Sequence, residues 1–496
     1  MKLDVIVIGG GPAGSTASAL VAKQGHRVML LERERFPRHQ IGESLLPATI
    51  HFICPLLGVR DEIAKAGFVK KHGGVLLWGK SKKPWSFNFG ATPALSGPNA
   101  YAYQVRRADF DDILLKNAKR LGVDVREQHT VRGLILEGGR VVGVRFTDAD
   151  GNEGTARARY VVDASGNTTH TASTVGERVY SKYFRHVALF GYYEGGGRLP
   201  EPQSGSIYVA AFDEGWFWYI PLSDTLTSVG AVVDRKHLDR LRQDPEVAMN
   251  YFMDRCPSIR EILGAGRRVT EGIYGEYRVR KDWSYCNTRF FGNGAVLVGD
   301  AACFIDPVFS SGVHLGTYGA LLAARSINTC LSGELDEERS FEEFELRYRR
   351  EYGNFYQFLL AFYDMHQDEQ SYFWKARDVM KSEESSNEAF VRLVSGVSTN
   401  REPVFRTAND IFEKESVWQV QDKYIEDWRA TPKENRNKAD LDKMITEVSD
   451  RVAEVLYPPE ARARTLDVFH SGPEATRQLF AGGLVPTDDE LRWRRA

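Results

Sequence analysis

The chain has 496 residues, 42% hydrophobic and 27% charged, with a formal net charge of −2. That length predicts two or three domains with a sizeable buried core. So balanced a charge gives no electrostatic reason to expect nucleic acid or an acidic membrane surface as partner. No run approaches the roughly 18 apolar residues of a membrane span. The N-terminus enters an apolar strand directly, without a signal peptide's basic start and small-residue cleavage site. Cys54, Cys256, Cys286, Cys303 and Cys330 are dispersed without CxxC spacing, and the eleven histidines form no ligand pattern. The expectation is buried thiols, no metal and a cytoplasmic setting.

Residues 4–8 read as a buried strand, 9–14 as a glycine turn, 15–24 as a helix ended by Gly25, and 27–31 as a second parallel strand. This is the opening βαβ of a nucleotide-binding fold. Gly9, Gly11 and Gly14 satisfy GxGxxG, which permits a tight turn and close approach of backbone amides to a pyrophosphate. Glu32, at the end of the second strand, is placed to bind ribose hydroxyls. Residues 75–90 and 177–285 have short alternating runs broken by Gly, Pro and Asp, the pattern of an antiparallel sheet with one solvated face. Residues 295–298 return to a buried strand, followed by Gly299-Asp300 and a helix over 313–331. From Ser340 the chain reads as largely helical, with 382–388 and 431–440 as candidate mobile linkers.

Three later segments resemble the glutathione-reductase-like flavin monooxygenase superfamily. They are Tyr103 to Asp111 with Arg107 in the arginine position, Val161-Val162-Asp163-Ala164-Ser165-Gly166, and Val298-Gly299-Asp300-Ala301-Ala302. The resemblance implies an α/β fold: a Rossmann-like FAD-binding domain, an antiparallel-sheet substrate domain and a helical C-terminal extension. The implied bounds are 1–176 for the FAD domain with a sheet excursion near 75–100, 177–284 for the sheet domain, 285–335 for the return, and 336–496 for the C-terminal region. It implies flavin contacts from Ala13, Arg38, Gly42, Ser44, Val131, Pro307, Gly312 and Val313 besides Arg107 and Asp300. No second GxGxxG unit provides a separate NADPH domain, so reduction is either transient at the flavin face or performed by a partner flavin reductase.

Gly215-Trp216-Phe217-Trp218-Tyr219-Ile220-Pro221 matches the WxWxIP signature of flavin-dependent halogenases. Trp216 and Trp218 flank one residue and so share a strand face. In that family their bulk separates flavin from substrate and blocks direct oxygen transfer. The resemblance places the family's lysine at Lys71, with adjacent Lys70 as rival, although neighbours on a strand face opposite ways. An ammonium can polarise hypochlorous acid by a hydrogen bond, and a neutral amine can form a chloramine; partial burial brings both forms within reach near neutrality. Ser311 and Gly312, within Asp306 to His314, fall where the family presents amides to chloride. The stretch Gln40 to Pro47 resembles the halogenase flavin loop; alternatively Glu43 and Ser44 simply start a helix.

Tryptophan-type members place a glutamate shortly before the chloride glycine, where this chain has Phe309. The pattern is closer to the branch acting on phenols and pyrroles. Gly191 to Gly196, Pro221 to Val233, Phe344 to Gly353 and Phe480 to Val485 are similar to halogenases of glycopeptide-antibiotic pathways, which act on tyrosine-like residues held by a peptidyl carrier protein. The implied function is an FADH2-dependent halogenase using chloride or bromide and O2, with hypochlorous acid passing Trp216 and Trp218 to Lys71. Two rivals are an aromatic hydroxylase, independent of halide, and a non-catalytic flavin-binding partner protein, for which Lys71 would be dispensable.

Overall fold

The computed structural model describes residues 3–78, 83–91, 95, 97–169, 171–364, 386–396 and 482–496. Its first layer is a six-stranded sheet centred on Val5–Ile8, which pairs in parallel with Val28–Leu31 and Tyr160–Asp163. Asp124–Arg126 and Ala295–Leu297 extend it on either side, and Phe291–Gly292 closes one edge antiparallel. All four residues of Val5–Ile8 are buried, as continuous apolar runs must be when both faces of a sheet are covered. The first helix spans Pro12–Ala22 and so starts earlier than residue 15. Pro12 sits in its first turn, where a fixed φ and a missing N–H cost nothing. A Cβ on Gly14 would lie 1.9 Å from the Gly9 carbonyl oxygen, so glycine is what lets this helix press onto the strand.

The second layer is a nine-stranded sheet that includes Arg178–Glu194, Leu226–Asp234, Gly215–Pro221, Ile207–Phe212, Gly73–Leu77 and Trp85–Asn88 as successive neighbours. It is antiparallel except where Ile207–Phe212 meets Gly73–Leu77 in parallel. Strict alternation divides its side chains. Trp216, Trp218, Ile207 and Val209 join the large core shared with the nucleotide layer, whereas Phe217, Tyr219, Tyr208 and Val229 form a second core. The expectation of one solvated face fails here. Helices Pro245–Asp254 and Pro257–Leu263 cover that face with Met249, Phe252, Ile259 and Leu263, because the strands are apolar at both parities.

A meander of Thr130–Glu137, Arg140–Thr147 and Glu153–Arg157 was not among the expected elements, although Gly138-Gly139 between alternating runs is a hairpin signature. The helix Ser311–Ser332 begins two residues before 313, and Glu337–Asp364 packs along it. Residues 386–388, expected in a linker, open the helix Ser386–Val394; the linker residues 382–385 and 431–440 lie outside the described residues. The C-terminal region is not helical throughout. Leu484–Pro486 and Trp493–Arg495 form a hairpin, and buried Trp493 donates its Nε1–H to Ser326 Oγ on the Ser311 helix at 2.8 Å. All five cysteines are buried and free. Among the described residues no helix is long and apolar enough to cross a membrane.

Candidate active site

The carboxyl ends of the parallel strands, the first turn of Ser311–Ser332 and the core face of the large sheet enclose one cleft of about 1650 Å³, its open mouth included. At its nucleotide end lie Gly9, Gly11, Ala13, Glu32, Arg38 and Val131. Glu32 is buried and accepts the Gly10 N–H at 2.5 Å and the Glu34 N–H at 2.8 Å. These bonds fix its carboxylate where it faces the cleft. No side chain caps the helix Pro12–Ala22, and a Cβ on Gly11 would point at Arg38 Nη2, 3.6 Å away. A helix N-terminus and a guanidinium therefore face one gap, an arrangement suited to a pyrophosphate. Gly14 does not line the cleft; its role is the close helix–strand approach.

The middle of the cleft is organised by Asp111. This fully buried carboxylate receives Arg107 Nε at 2.7 Å, Arg107 Nη2 at 2.8 Å and Arg38 Nη1 at 2.8 Å. Burial opposes the charge on Arg107, but the Asp111 carboxylate outweighs it and holds the guanidinium above its ordinary pKa. Arg107 Nη1 also donates to the Ile41 carbonyl at 2.5 Å, which fixes the loop presenting Gly42, Glu43 and Ser44 to the cleft. Gly42 has φ +97°, and a Cβ there would approach Arg107 Nη1 to 3.0 Å. Asp300 lines the opposite wall and accepts Arg280 Nη2 at 3.1 Å. Together these groups fit FAD: carboxylates for ribose and ribityl hydroxyls, and amides with Arg38 for phosphate.

The helix Ser311–Ser332 is 22 residues long, has no side-chain cap and no acidic residue in its first turn. Its N-cap, Ser310, adopts φ +60° and lines the cleft with Pro307, Gly312 and Val313. Among the described residues a Cβ on Gly312 would meet nothing within 4 Å, so open space adjoins a helix start without a side-chain cap. The proposed halide residue Ser311 is buried and is not part of the cleft wall; Ser310 stands there instead.

Trp216 and Trp218 both line the far wall, with ring centroids 6.2 Å apart. Gly230, paired with Trp218 in register, makes room for its indole, since a Cβ would come within 2.2 Å of that ring. Trp218 Nε1 donates to Ser228 Oγ at 3.1 Å. Trp216 Nε1 donates to Tyr363 Oη at 2.7 Å, and that hydroxyl donates to Asp306 Oδ2 at 3.0 Å. Asp306 is buried and also faces His186 Nδ1 at 3.3 Å. Tyr363→Phe leaves a buried indole N–H and a buried carboxylate each short of a partner. We expect a loss of about 1 to 3 kcal/mol, read as a lower denaturant midpoint.

Lys71 lies outside the cleft, behind its loop. It is 2% exposed, and its Nζ donates to the Leu45 carbonyl at 3.2 Å and sits 5.5 Å from the Phe89 ring centroid. Burial pulls its pKa down to about 7. Lys70 is exposed, with its Nζ over Tyr101; the strand pairs Lys70 with Tyr103 and Lys71 with Ala102, so the two lysines face opposite ways. Phe309 packs against Phe358 and Phe362, in an aromatic cluster that reaches Trp216 through Trp78.

Arg280, Asp306, Tyr363 and the chemistry of Glu43 are not among the roles the sequence points to. Arg280 and Tyr363 sit in segments whose only local signal is ordinary strand or helix texture. Glu43 is 1% exposed and lines the cleft. Burial raises its pKa to about 7, against the opposing pull of Ser228, Tyr192 and Arg107.

The family model described as tryptophan halogenase matches residues 4–99 and 92–422. The chain is 34% identical over 406 residues to the tryptophan 2-halogenase of Chondromyces crocatus, covering 79% of this chain and 75% of that protein. It is also 34% identical over 361 residues to the flavin-dependent halogenase armH3 of Armillaria mellea, across 68% of this chain and 70% of that one. The myxobacterial chondrochloren halogenase CndH, an FAD-dependent enzyme of known structure, shares 53% identity across 99% of both chains with a TM-score of 0.75.

Proposed function

This chain belongs to the tryptophan halogenase family of flavin-dependent halogenases, with FAD as cofactor and halide and O2 as co-substrates, and on that premise we propose that it chlorinates an electron-rich phenolic ring. The substrate proposed is a tyrosyl-derived residue on a peptidyl carrier protein, and a separate flavin reductase delivers the reduced cofactor. The observation that carries the phenolic reading is Phe309. It is packed among aromatic rings where a carboxylate would serve an indole substrate, so the ring must bring its own activation. A phenol does.

Reduced FAD and O2 supply the oxidising power that turns halide into hypohalous acid. Glu32, Arg38, Arg107 and Asp300 hold the cofactor, and the uncapped start of Ser311–Ser332, at Gly312 and Ser311, holds the halide. Trp216 and Trp218 keep the aromatic substrate from the flavin. Lys71 works on the other side. As an ammonium it donates a hydrogen bond to the oxygen of hypochlorous acid and draws electron density from the O–Cl bond. The ring carbon ortho to the phenol attacks chlorine; the oxygen leaves as water with the lysine proton, and the ring proton returns to the amine. A pKa near neutrality lets one group do both.

The test supplies FAD, a flavin reductase, NADH, O2 and chloride, and follows intact mass on three substrates: tyrosyl-carrier protein, free tyrosine and free tryptophan. A chlorine isotope pattern on the carrier-bound tyrosine is expected. Chlorination of free tyrosine alone would remove the carrier, and chlorination of free tryptophan alone would overturn the phenolic reading.

A further inference from the structure

Halogenation consumes a proton. An arene C–H, a halide anion, O2 and reduced FAD become the aryl halide, oxidised FAD and two waters only if one proton enters for each halide. The cleft therefore needs a route for protons as well as for anions.

Glu43 is the buried acid on the cleft wall, and among the described residues its Oε2 has no partner at full hydrogen-bond geometry, the Ser228 hydroxyl being the carboxyl's near neighbour. Its other oxygen, Oε1, accepts the Tyr192 hydroxyl at 2.9 Å. The Tyr192 oxygen lies 2.7 Å from His39 Nε2. Tyr192 is fully buried, while His39 is half-buried and does not line the cleft. The three groups form one continuous line, from a carboxyl oxygen at the cleft wall to an imidazole with solvent access. We propose that Glu43 delivers the proton consumed in each turnover into the cleft, and that Tyr192 and His39 resupply it from solvent.

Each resupply moves one proton per link. Glu43 first gives its Oε2 proton to the cleft. Solvent then protonates His39 Nδ1, His39 passes its Nε2 proton to the Tyr192 oxygen, and Tyr192 passes its hydroxyl proton to Glu43 Oε1. Rotation of the carboxyl and hydroxyl and tautomerisation of the imidazole reset the line. Nothing is oxidised or reduced. The electrostatics suit transit over storage. Burial, then Arg278, Arg107 and Arg38, lower the His39 pKa to about 4, so the imidazole does not retain the proton. Glu43 sits near neutrality, facing Arg107 from its helix, Tyr192 and Ser228 from two strands, and Tyr274 from the turn at Gly272–Tyr274. Burial raises its pKa, and the charge of Arg107 with the two hydroxyls limits the rise. Trp218 is tied to the same site through Ser228. This inference rests on the halogenase reaction and not on the phenolic or carrier-bound substrate.

Infrared difference titration of the apoprotein comes first. A buried carboxyl titrating near neutral pH is expected, lost in Glu43→Gln and moved upward in Tyr192→Phe, which loses a bond to the charged form. Absence of such a signal, or its survival in Glu43→Gln, overturns the proposal. Turnover follows, with FAD affinity and melting temperature matched to wild type. Tyr192→Phe and His39→Ala should slow halide-dependent product formation roughly tenfold or more at alkaline pH and less at acid pH. Added imidazole should restore His39→Ala but not Tyr192→Phe. Unchanged rates, or a loss that neither pH nor imidazole moves, would mean a packing role. Should His39→Ala fail to fold, the pH profile of Tyr192→Phe decides alone. A wild type making no halogenated product would instead fault the choice of substrate, with the titration still informative.

Discussion

Lys71→Ala should abolish halogenation, by about two to four orders of magnitude, while FAD binding and flavin oxidation persist. Lys71 sits behind the loop from Gly42 to Leu45, touching it through the Leu45 carbonyl but not lining the cleft. Loss of its amine therefore leaves the cofactor's contacts in place. Lys71→Met should be equally inactive yet more stable than wild type at neutral pH. Burial depresses the lysine pKa from 10.5 to about 7, so the native chain carries a penalty whenever the amine is protonated. Below about pH 7 both folded and unfolded chains hold that proton and the penalty is full. Between about 7 and 10.5 the unfolded chain binds more protons, so wild-type stability rises with pH across that window. Methionine removes the effect and should flatten this part of the profile. Intact-mass assays and melting curves from pH 6 to 10 give both readings. A Lys71→Met variant that melts lower at pH 7 would show that the ammonium has a stabilising partner.

Parity was the most legible information in the chain. Two tryptophans one residue apart, and two adjacent lysines, are sorted by the two-residue period of a strand alone. Trp216 and Trp218 share the cleft face, and Lys71 is buried where Lys70 is exposed. The glycine turn and Glu32 were legible for a similar reason: their partners lie within one βαβ unit. Contacts between distant segments were not. Tyr363 reaches Trp216 across 147 positions and Asp306 across 57. Tyr192 reaches Glu43 across 149. Nothing local distinguishes that tyrosine from any other on an aromatic strand. Glu43 could be placed in the flavin loop or at a helix start, but its burial depends on strands far along the chain. At the halide end the helix start differs by two residues from the expected one. Ser310 takes the left-handed conformation and the wall position, because the helix begins at Ser311, earlier than the apolar period suggested.

Asp111→Ala should cost about 3 to 5 kcal/mol of stability and remove FAD binding with it. The carboxylate is 0% exposed and makes three short bonds to two guanidiniums. Its loss strands Arg107, itself buried, with no other counter-charge at hydrogen-bond distance among the described residues, and solvent cannot replace the missing partner. A freed Arg107 no longer holds the carbonyls of Ile41 and Gly42, so the loop bearing Glu43 and Ser44 loses its anchor. Arg38, still paired with Glu34 at 3.2 Å, would be pulled from the Gly11 gap. Both ends of the cofactor site would therefore move after a change that touches neither. Asp111→Asn separates charge from shape: it keeps two acceptor lone pairs on one oxygen but introduces donors facing guanidinium N–H groups. It should fall near the alanine variant, not near wild type. Flavin titration and urea melts distinguish the two effects. If Asp111→Asn bound FAD normally and melted like wild type, the hydrogen-bond geometry and not the charge would be holding Arg107.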